Sequence, residues 1–366
     1  MDAIATTFEG FEEIAVQEIK ELIGKKATSN KGIVLFSATD KELAKLCYLS
    51  QSLRSILRLY KNFSFSDLDD FKKKAVLKKS DVFVFADRSF RAECHRKGKH
   101  NFSSQDVAAL FGEIILGLQK KTSVDLDDPD IIASCIINEN ICYLGIDFAG
   151  FDLTKREYKI YSQQTTLNAG FAYCAVRFAG YSGKEVLVDP MCGIGTIPLE
   201  TGLFASHVSP RFYQKDIFIF NKILDIDLEE FDNKKDVDKK IVGYDVHLRH
   251  IESAKKMAKL AGVGKVIYFS RADLEWLDTK QDENDIDLIV TQPPVEGKAV
   301  IIKDMEKLYK EFFHQVEFVM NKKGKIILIC QKTDVLKKYL KFFKIVKEHI
   351  AYQGKQKFII VVLEME

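Results

Sequence analysis

Residues 185–200 read Glu185-Val-Leu-Val-Asp189-Pro-Met-Cys-Gly193-Ile-Gly195-Thr-Ile-Pro-Leu-Glu200, and their interpretation decides the fold. Val186 to Val188 is a short apolar run of the kind a buried parallel strand shows. Asp189 and Pro190 end it, because proline has no N–H to give a ladder. Gly193 and Gly195 permit a tight turn that a ligand can approach closely. Thr196 to Leu203 reads as the next helix, with its first amides facing the glycine turn. A strand, a glycine turn and a helix N-terminus form the cofactor cradle of a doubly wound α/β sheet. The turn lacks the Gly-Lys-Ser/Thr ending of a phosphate loop and the third glycine of Gly-x-Gly-x-x-Gly.

The chain after this stretch continues the same alternation. Ile241 to Tyr244 is a second strand that ends at Asp245, where an acid can take the hydrogens of two ribose hydroxyls. Residues 206–239 form a polar insertion ahead of it and stretch the spacing beyond the usual roughly 20 residues. Ile251, Ala254, Met257, Ala258 and Ala261 give the next helix its apolar face. Val266 to Phe269 is a third strand, followed by Asp273, which taken alone is as good a turn residue. Asp287 to Val290 is a fourth, and it runs into Thr291-Gln292-Pro293-Pro294-Val295-Glu296-Gly297-Lys298. The two prolines stiffen that loop and leave its carbonyls without helical partners. Leu308 to Met320 is a helix, Gly324 to Cys330 a fifth strand, and Phe343 to Tyr352 with Phe358 to Leu363 a terminal β-hairpin. Leu167 to Ala179 is a helix that precedes the whole series.

The chain before it is α+β. Ala3 to Thr7 and Gly32 to Phe36 read as strands, with a helix between them carried by Phe11, Ile14, Ala15, Ile19 and Leu22. Lys41 to Leu59 reads as a second helix, with Leu43, Leu46, Leu49, Leu53 and Leu57 on one side. Strand-helix-strand-helix of this size suggests a ferredoxin-like unit. Residues 61–80, with Lys72-Lys73-Lys74 and Lys78-Lys79, are a linker-like helix or loop and on charge alone a solvated face. Val82 to Ala86 and Phe90 to Cys94 read as strands, and Asp106 to Leu118 as a helix. Between them lies Arg96-Lys97-Gly98-Lys99-His100-Asn101-Phe102-Ser103-Ser104, with Arg88, Arg91 and His95 close by. Cations meet phosphates, hydroxyls fix register, and an aromatic ring can stack on an unpaired base. A solvated basic turn would look the same.

A chain of 366 residues holds two or three domains. Its 46% hydrophobic and 30% charged residues are ordinary for a globular protein. No apolar stretch reaches the roughly 18 residues of a membrane span, and residues 1–30 show no leader pattern. The 7 scattered cysteines make no disulfide framework, and Cys135 and Cys142 sit in apolar surroundings as reduced core residues. No Cys-x-x-Cys pair occurs, so no metal is expected. A reducing, cytoplasmic setting follows. The net charge of +2, from 55 basic and 53 acidic side chains, neither announces nor excludes a nucleic-acid partner, because patches matter more than totals.

The string Asp189-Pro190-Met191-Cys192-Gly193-x-Gly195-Thr196-Ile-Pro-x-Glu200 resembles the S-adenosylmethionine motif of THUMP-domain RNA methyltransferases, and most of all their tRNA guanine-N2 branch. The similarity extends to Phe8-Glu9-Gly10-Phe11-Glu12, to Arg96-x-Gly-x-His100-x-Phe102-Ser103-Ser104, to Val124-Asp125-Leu126-x-x-Pro129-Asp130, and to Leu153-x-Lys155-Arg156-x-Tyr158. Ser209-Pro210-Arg211-Phe212 is similar to an insert of these enzymes. The resemblance implies three parts. These are a ferredoxin-like domain (residues 1–65), a THUMP RNA-binding domain (66–155) and a Rossmann-like methyltransferase domain with a seven-stranded sheet (156–366). It implies S-adenosyl-L-methionine as cofactor, held by Asp189, Pro190, Met191, Cys192, Gly193, Gly195, Thr196, Asp245 and Asp273. It implies tRNA as partner, with the THUMP domain grasping the 3′ acceptor end through Arg96, Lys97, Lys99, His100, Phe102, Ser103, Lys155 and Arg156. Glu157 stands where the family commonly has glycine.

Gln292, Pro293 and Pro294 are the catalytic candidates. In the family the strand-four loop runs Asn or Asp, Pro or Leu, Pro, Tyr or Phe, Gly. Here Gln292 keeps a carbonyl acceptor one methylene further out, Val295 replaces the aromatic, Glu296 replaces the glycine, and Lys298 keeps a cation. Three functions stay open. The first is methylation of a tRNA guanine N2 near the acceptor end, with position 6 the family's best guess. The second is methylation of another base amine such as adenine N6. The third is a retired enzyme that still grips tRNA. No membrane partner is expected; the chain acts as a monomer unless a small activator subunit is needed.

Overall fold

The computed structural model describes residues 1–163, 165–295 and 302–366. They form two compact units, Met1–Thr7 with Val16–Leu153 and Tyr213–Phe231, and Phe8–Ala15 with Thr154–Phe212 and Asp232–Glu366.

The first unit contains β1 (Asp2–Thr6), most of α1 (Glu12–Ile23), β2 (Ala27–Asn30), β3 (Ile33–Ser37), α2 (Asp40–Leu49), β4 (Ser55–Ser64), α3 (Leu68–Lys74), β5 (Ser89–Lys97), α4 (Ser104–Leu118), β6 (Ser123–Val124), β7 (Ile131–Asn138) and β8 (Ile141–Asp147). One eight-stranded sheet, in the order β2-β3-β1-β4-β8-β7-β5-β6, runs through the ferredoxin-like and THUMP portions. The joint is the antiparallel pair β4–β8, with Leu57 opposite Asp147 and Ser64 opposite Ile141.

Two expectations fail here for local reasons. The helix expected to reach Leu59 stops at Leu49, and Ser55–Ser64 is a strand. The buried Glu18 carboxylate takes the amides of Gln51 (2.8 Å) and Ser52 (3.1 Å) and the Ser50 hydroxyl (2.6 Å). It therefore holds residues 50–52 in a turn that a continuing helix would have consumed. Likewise Val82 to Ala86 is no strand. Phe83–Phe85 is a single 3₁₀ turn, with Val82 and Phe85 buried three residues apart and Phe83 exposed, which is helical and not strand spacing.

The insertion was expected to be a polar spacer, but it carries Phe218 and Phe220, both buried and stacked on each other at 5.1 Å. Phe220 also meets Phe148, and Phe218 meets Phe151. This apolar pair explains why residues 213–231 belong to the first unit although the chain around them belongs to the second.

The second unit contains α5 (Ala169–Phe178), β9 (Leu187–Asp189), α6 (Thr196–Ala205), β10 (Ile241–Asp245), α7 (Leu248–Leu260), β11 (Ile267–Arg271), α8 (Leu277–Lys280), β12 (Ile286–Thr291), α9 (Ile302–Val319), β13 (Met320–Cys330), β14 (Phe343–Gln353) and β15 (Gln356–Met365). Its seven strands lie in the order β11-β10-β9-β12-β13-β15-β14. The first five are parallel, and β14 and β15 close the sheet as an antiparallel hairpin. The chain order reverses between β9 and β12, and doubly wound sheets bind ligands in the crevice beyond such a reversal. Phe8 and Phe11 pack edge-on against Phe171 of α5 at 5.5 and 5.0 Å, which explains why residues 8–15 fall in this unit.

Glu200 of α6 is fully buried and takes two hydrogen bonds from Arg156, Nε and Nη2, both at 2.9 Å, and one from the Tyr158 hydroxyl at 2.5 Å. This triad pins the entry segment to the helix that follows the glycine turn. Among the described residues no helix is long and apolar enough to cross a membrane, and no cluster of His, Cys, Asp and Glu could hold a metal ion.

Removing one partner of a buried pair leaves an uncompensated charge, at a cost of about 3–5 kcal/mol. Glu200→Ala should lower the stability of the second unit by that amount. Urea unfolding followed by fluorescence of Trp276, the chain's single tryptophan, measures it. Arg156→Met with Glu200→Leu should recover much of the loss.

Candidate active site

β9 ends at Asp189, and the chain turns through Met191 to Gly195 into α6. Gly195 is the N-cap of α6, in a left-handed conformation with φ +85°, and no side chain caps the helix. A Cβ there would lie 2.9 Å from Ala254 Cβ and from two atoms of the Phe269 ring. Glycine is therefore required both by backbone angle and by space.

The turn is tied to the tip of β10. Asp245 Oδ2 accepts from the Gly193 amide at 3.0 Å, and Oδ1 from the His247 amide at 2.8 Å. His250 Nδ1 lies 2.9 Å from the same Oδ1. Asp189 is buried and accepts from the Met191 amide at 3.2 Å. Burial pushes its carboxyl up to about 7, and the Asp245 charge adds to the shift.

These groups line one cavity of about 390 Å³. Of the residues expected to hold the cofactor, Asp189, Pro190, Met191, Cys192, Gly193, Thr196, Asp245 and Asp273 are on its wall. Gly195 is not on the wall and acts through its backbone. Gln292, Pro293 and Pro294 line the same cavity from the tip of β12, while Val295 beside them is half-buried. Glu296 and Lys298 lie outside the described residues.

Several wall residues carry no local signal of their role. Gln163, Thr165, Thr166 and Leu167 line the cavity from the loop before α5. Asn168 caps α5 through Oδ1, which accepts from Gly170 N at 2.9 Å. That cap is the one signal that could have placed Leu167 in the loop and not in the expected helix Leu167 to Ala179. The half-buried Lys159 ammonium, pushed down to about 8 by desolvation, donates to the Leu167 carbonyl at 2.5 Å and steadies this wall. His247, His250 and Leu308 also line it.

The expected RNA contacts divide. Arg96, Lys97 and Lys99 are exposed at the end of β5. His100 Nε2 meets the Glu139 carbonyl at 2.8 Å. Ser103 is the N-cap of α4 in a capping box with Asp106. Phe102 is not free to stack on a base. It is buried, packed on His100 at 4.9 Å and Phe65 at 5.6 Å. Lys155 is exposed, but Arg156 is withdrawn from any RNA, because both faces of its guanidinium fork are spent on Glu200 inside the second unit.

A Rossmann-like sheet, an acid at the end of its second strand, and a glycine turn backed by an uncapped helix fit S-adenosyl-L-methionine. The positive φ at Gly193 and Gly195, and a cavity walled by carboxylates, suit a ligand with a ribose, an amino acid moiety and a sulfonium charge. Fold and site together define a Rossmann-like, S-adenosylmethionine-dependent methyltransferase.

Residues 156–358 match the RMKL-like methyltransferase domain, residues 65–147 the THUMP domain, and residues 2–57 the RlmL ferredoxin-like domain. Over 355 residues the chain is 30% identical to the tRNA (guanine(6)-N2)-methyltransferase of Methanocaldococcus jannaschii, covering 92% of each chain. It is 26% identical over 316 residues to the ribosomal RNA large subunit methyltransferase K/L of Buchnera aphidicola, covering 80% of this chain and 44% of that one. Among solved structures, SMU.472, a methyltransferase complexed with SAH, superposes with a TM-score of 0.82 at 18% identity, over 100% of this chain and 98% of that one. The chain belongs to the THUMP-domain-containing tRNA guanine-N2 methyltransferase family.

The raised Asp189 has a consequence for pH. The folded protein holds this proton up to about pH 7, while the unfolded chain releases it near 4. The stability it contributes is complete below the unfolded value and lost as pH rises through about 7. A cationic ligand favours the ionised carboxylate. S-adenosylmethionine should therefore bind more tightly at pH 8 than at pH 6, with proton release. Calorimetry in two buffers of different ionisation heat measures this, and Asp189→Asn should flatten the dependence.

Proposed function

We propose that this protein methylates the N2 amine of a guanine in the acceptor-stem region of tRNA, at position 6. The observation that carries the reading is the convergence of Asp189, Asp245, Gln292 and Pro293 on one cavity at the reversal point of the second unit's sheet. The name of the Methanocaldococcus relative supplies the nucleotide. In the division of labour that follows, residues 66–155 grip the RNA, residues 1–65 brace them, and residues 156–366 hold the cofactor and carry the chemistry in the cytoplasm.

When bound, S-adenosylmethionine supplies an activated methyl group on a sulfonium. Asp245 takes the ribose hydroxyl hydrogens, which charge-assisted hydrogen bonds favour. Asp273 takes a hydrogen of the adenine amino group. The turn from Pro190 to Gly193 and the open amides at Thr196 seat the amino acid moiety. The Gln292 side-chain carbonyl and the Pro293 backbone carbonyl accept the two hydrogens of the guanine amine. That contact turns the nitrogen lone pair toward the methyl group, and alignment of donor and acceptor is what an in-line displacement needs. The wall residues Pro293, buried, and Pro294, exposed, fix the loop so that this alignment is not lost to backbone motion.

One observation favours a second reading. Among the described residues no Phe, Tyr or Trp lines the cavity, and Val295 offers no ring to a flipped base. A retired enzyme that still binds tRNA would look this way.

Two experiments decide. Nucleoside mass spectrometry is run on unmodified tRNA incubated with the protein and S-adenosylmethionine, with and without candidate activator subunits. It should show N2-methylguanosine at position 6; N6-methyladenosine, methylated ribosomal RNA alone, or no product would each overturn the reading. Gln292→Ala should lose about 10²–10³ in rate, as removal of a preorganised hydrogen-bond partner does, while both ligands still bind. Gln292→Asn should keep the rate, and Val295→Phe should tighten RNA by adding a stacking face. Separately, neutralising Arg96, Lys97 and Lys99 should flatten the salt dependence of tRNA binding by roughly 0.7–0.9 in log-log slope per lost phosphate contact, with cofactor affinity unchanged.

A further inference from the structure

The basic loop at the far end of β5 has cations but no ring to offer, because Phe102 is internal. The opposite end of the same strand has both. Phe83 is 75% exposed, an unusual position for a large apolar side chain. Its presentation is fixed: the 3₁₀ turn that carries it is anchored by Val82 and Phe85, both buried. Phe85 packs edge-on against Phe90 of β5 at 5.4 Å.

Cationic residues lie on its own turn and on the segment hydrogen-bonded to that turn. The turn is fastened to residues 120–122 by the Asp87 amide on the Lys121 carbonyl (2.8 Å) and the Thr122 hydroxyl on the Arg88 carbonyl (2.8 Å). Arg88 Nη1 donates to the Val84 carbonyl at 2.8 Å, so its guanidinium lies against the same turn. Lys78 starts the turn, with its amide on Asp81 at 2.8 Å. Lys78, Lys79, Lys120 and Lys121 are exposed, and among the described residues none of the four takes part in an ion pair. The acids nearby are Asp81 and Asp87. Lysine is depleted in the cores of protein interfaces, whereas it is a usual phosphate contact. A solvent-facing ring with lysines on its own turn and on the segment bonded to it suits an unpaired nucleotide, the base on the ring and its phosphates on the cations.

We propose that Phe83 and the lysines around it form a second RNA contact of the first unit, taking an unpaired nucleotide by stacking. β5 is 9 residues long, so at about 3.3 Å per residue this contact lies roughly 30 Å from the Arg96–Lys99 loop. Two contacts that far apart would hold one RNA at two points and fix its direction across the sheet. The inference rests on the proposed tRNA substrate and adds where its unpaired part is held.

The test uses the full chain and an unmodified tRNA transcript, with binding read by fluorescence anisotropy. Phe83→Ala and Phe83→Leu should each weaken binding about 5- to 150-fold, the range a lost base–ring stack gives. Phe83→Trp in a Trp276→Phe background should bind as well as wild type, with its emission quenched by RNA. Lys120→Ala with Lys121→Ala should flatten the salt slope. Wild-type affinity in Phe83→Ala, beside a weakened Arg96/Lys97/Lys99 variant, would overturn this contact and leave the tRNA reading standing. Wild-type affinity in Phe83→Leu would also overturn it, since a leucine cannot stack. So would Phe83-dependent self-association in ultracentrifugation with RNA affinity unchanged, because the patch would then be a protein interface.

Discussion

The second unit depends on the carboxylate of Asp245. It sits at the tip of β10 and holds the amide of Gly193, which belongs to the turn after the neighbouring strand β9. Together with the Cys192 amide on the Tyr244 carbonyl at 2.7 Å, that contact joins the two strand ends. The His247 amide and His250 take the other oxygen, so the carboxylate enters the cavity already oriented. Preorganisation of this sort matters because a ligand then need not order the site that receives it. The glycine turn and Asp245 are therefore one device, and neither has its shape without the other.

A second constraint follows from burial. Asp189 lies one strand away from Asp245, and its burial, with the Asp245 charge beside it, favours the protonated carboxyl. Asp245 accepts from the Gly193 and His247 amides, and Asp189 from the Met191 amide, with the Thr291 hydroxyl also favouring the ionised Asp189. A positively charged ligand in the cavity would favour the ionised Asp189 carboxylate.

What could be read from the sequence was what is encoded locally. The stretch around Asp189 and Gly195 carries its own stop, turn and helix start, and Asp245 ends an apolar run. The wall residues Gln163, Thr165, Thr166 and Leu167 could not be read, because nothing in them says that they will line the cavity beside the glycine turn; only the folded chain brings them there. Leu53 and Leu57 misled because a spacing of four suits one face of a helix and one face of a strand alike. What broke the helix was Glu18, more than thirty residues earlier in the chain. Phe102 misled in the opposite way. Its neighbours are cationic, so it looked like part of a contact surface, yet Phe65 and the core of the THUMP portion offered the ring a better place. Arg156 belongs to the Leu153-x-Lys155-Arg156-x-Tyr158 string whose resemblance implies an RNA contact, but a carboxylate forty-four residues away holds it instead.

The two ends of the first unit show why charge counts mislead about partners. A net charge of +2 hides a surface on which the cations are sorted and not scattered. Lysines of α3 follow acids at its start: Asp67 caps α3 and Lys74 pairs with Asp70. That pairing is ordinary helix chemistry and carries no information about a ligand. The lysines beyond the helix, at Lys78, Lys79, Lys120 and Lys121, have no such explanation in the fold. A cation with a structural partner is accounted for by the fold; a cation without one, held beside a ring that the fold presents to solvent, points outward to a partner of opposite charge.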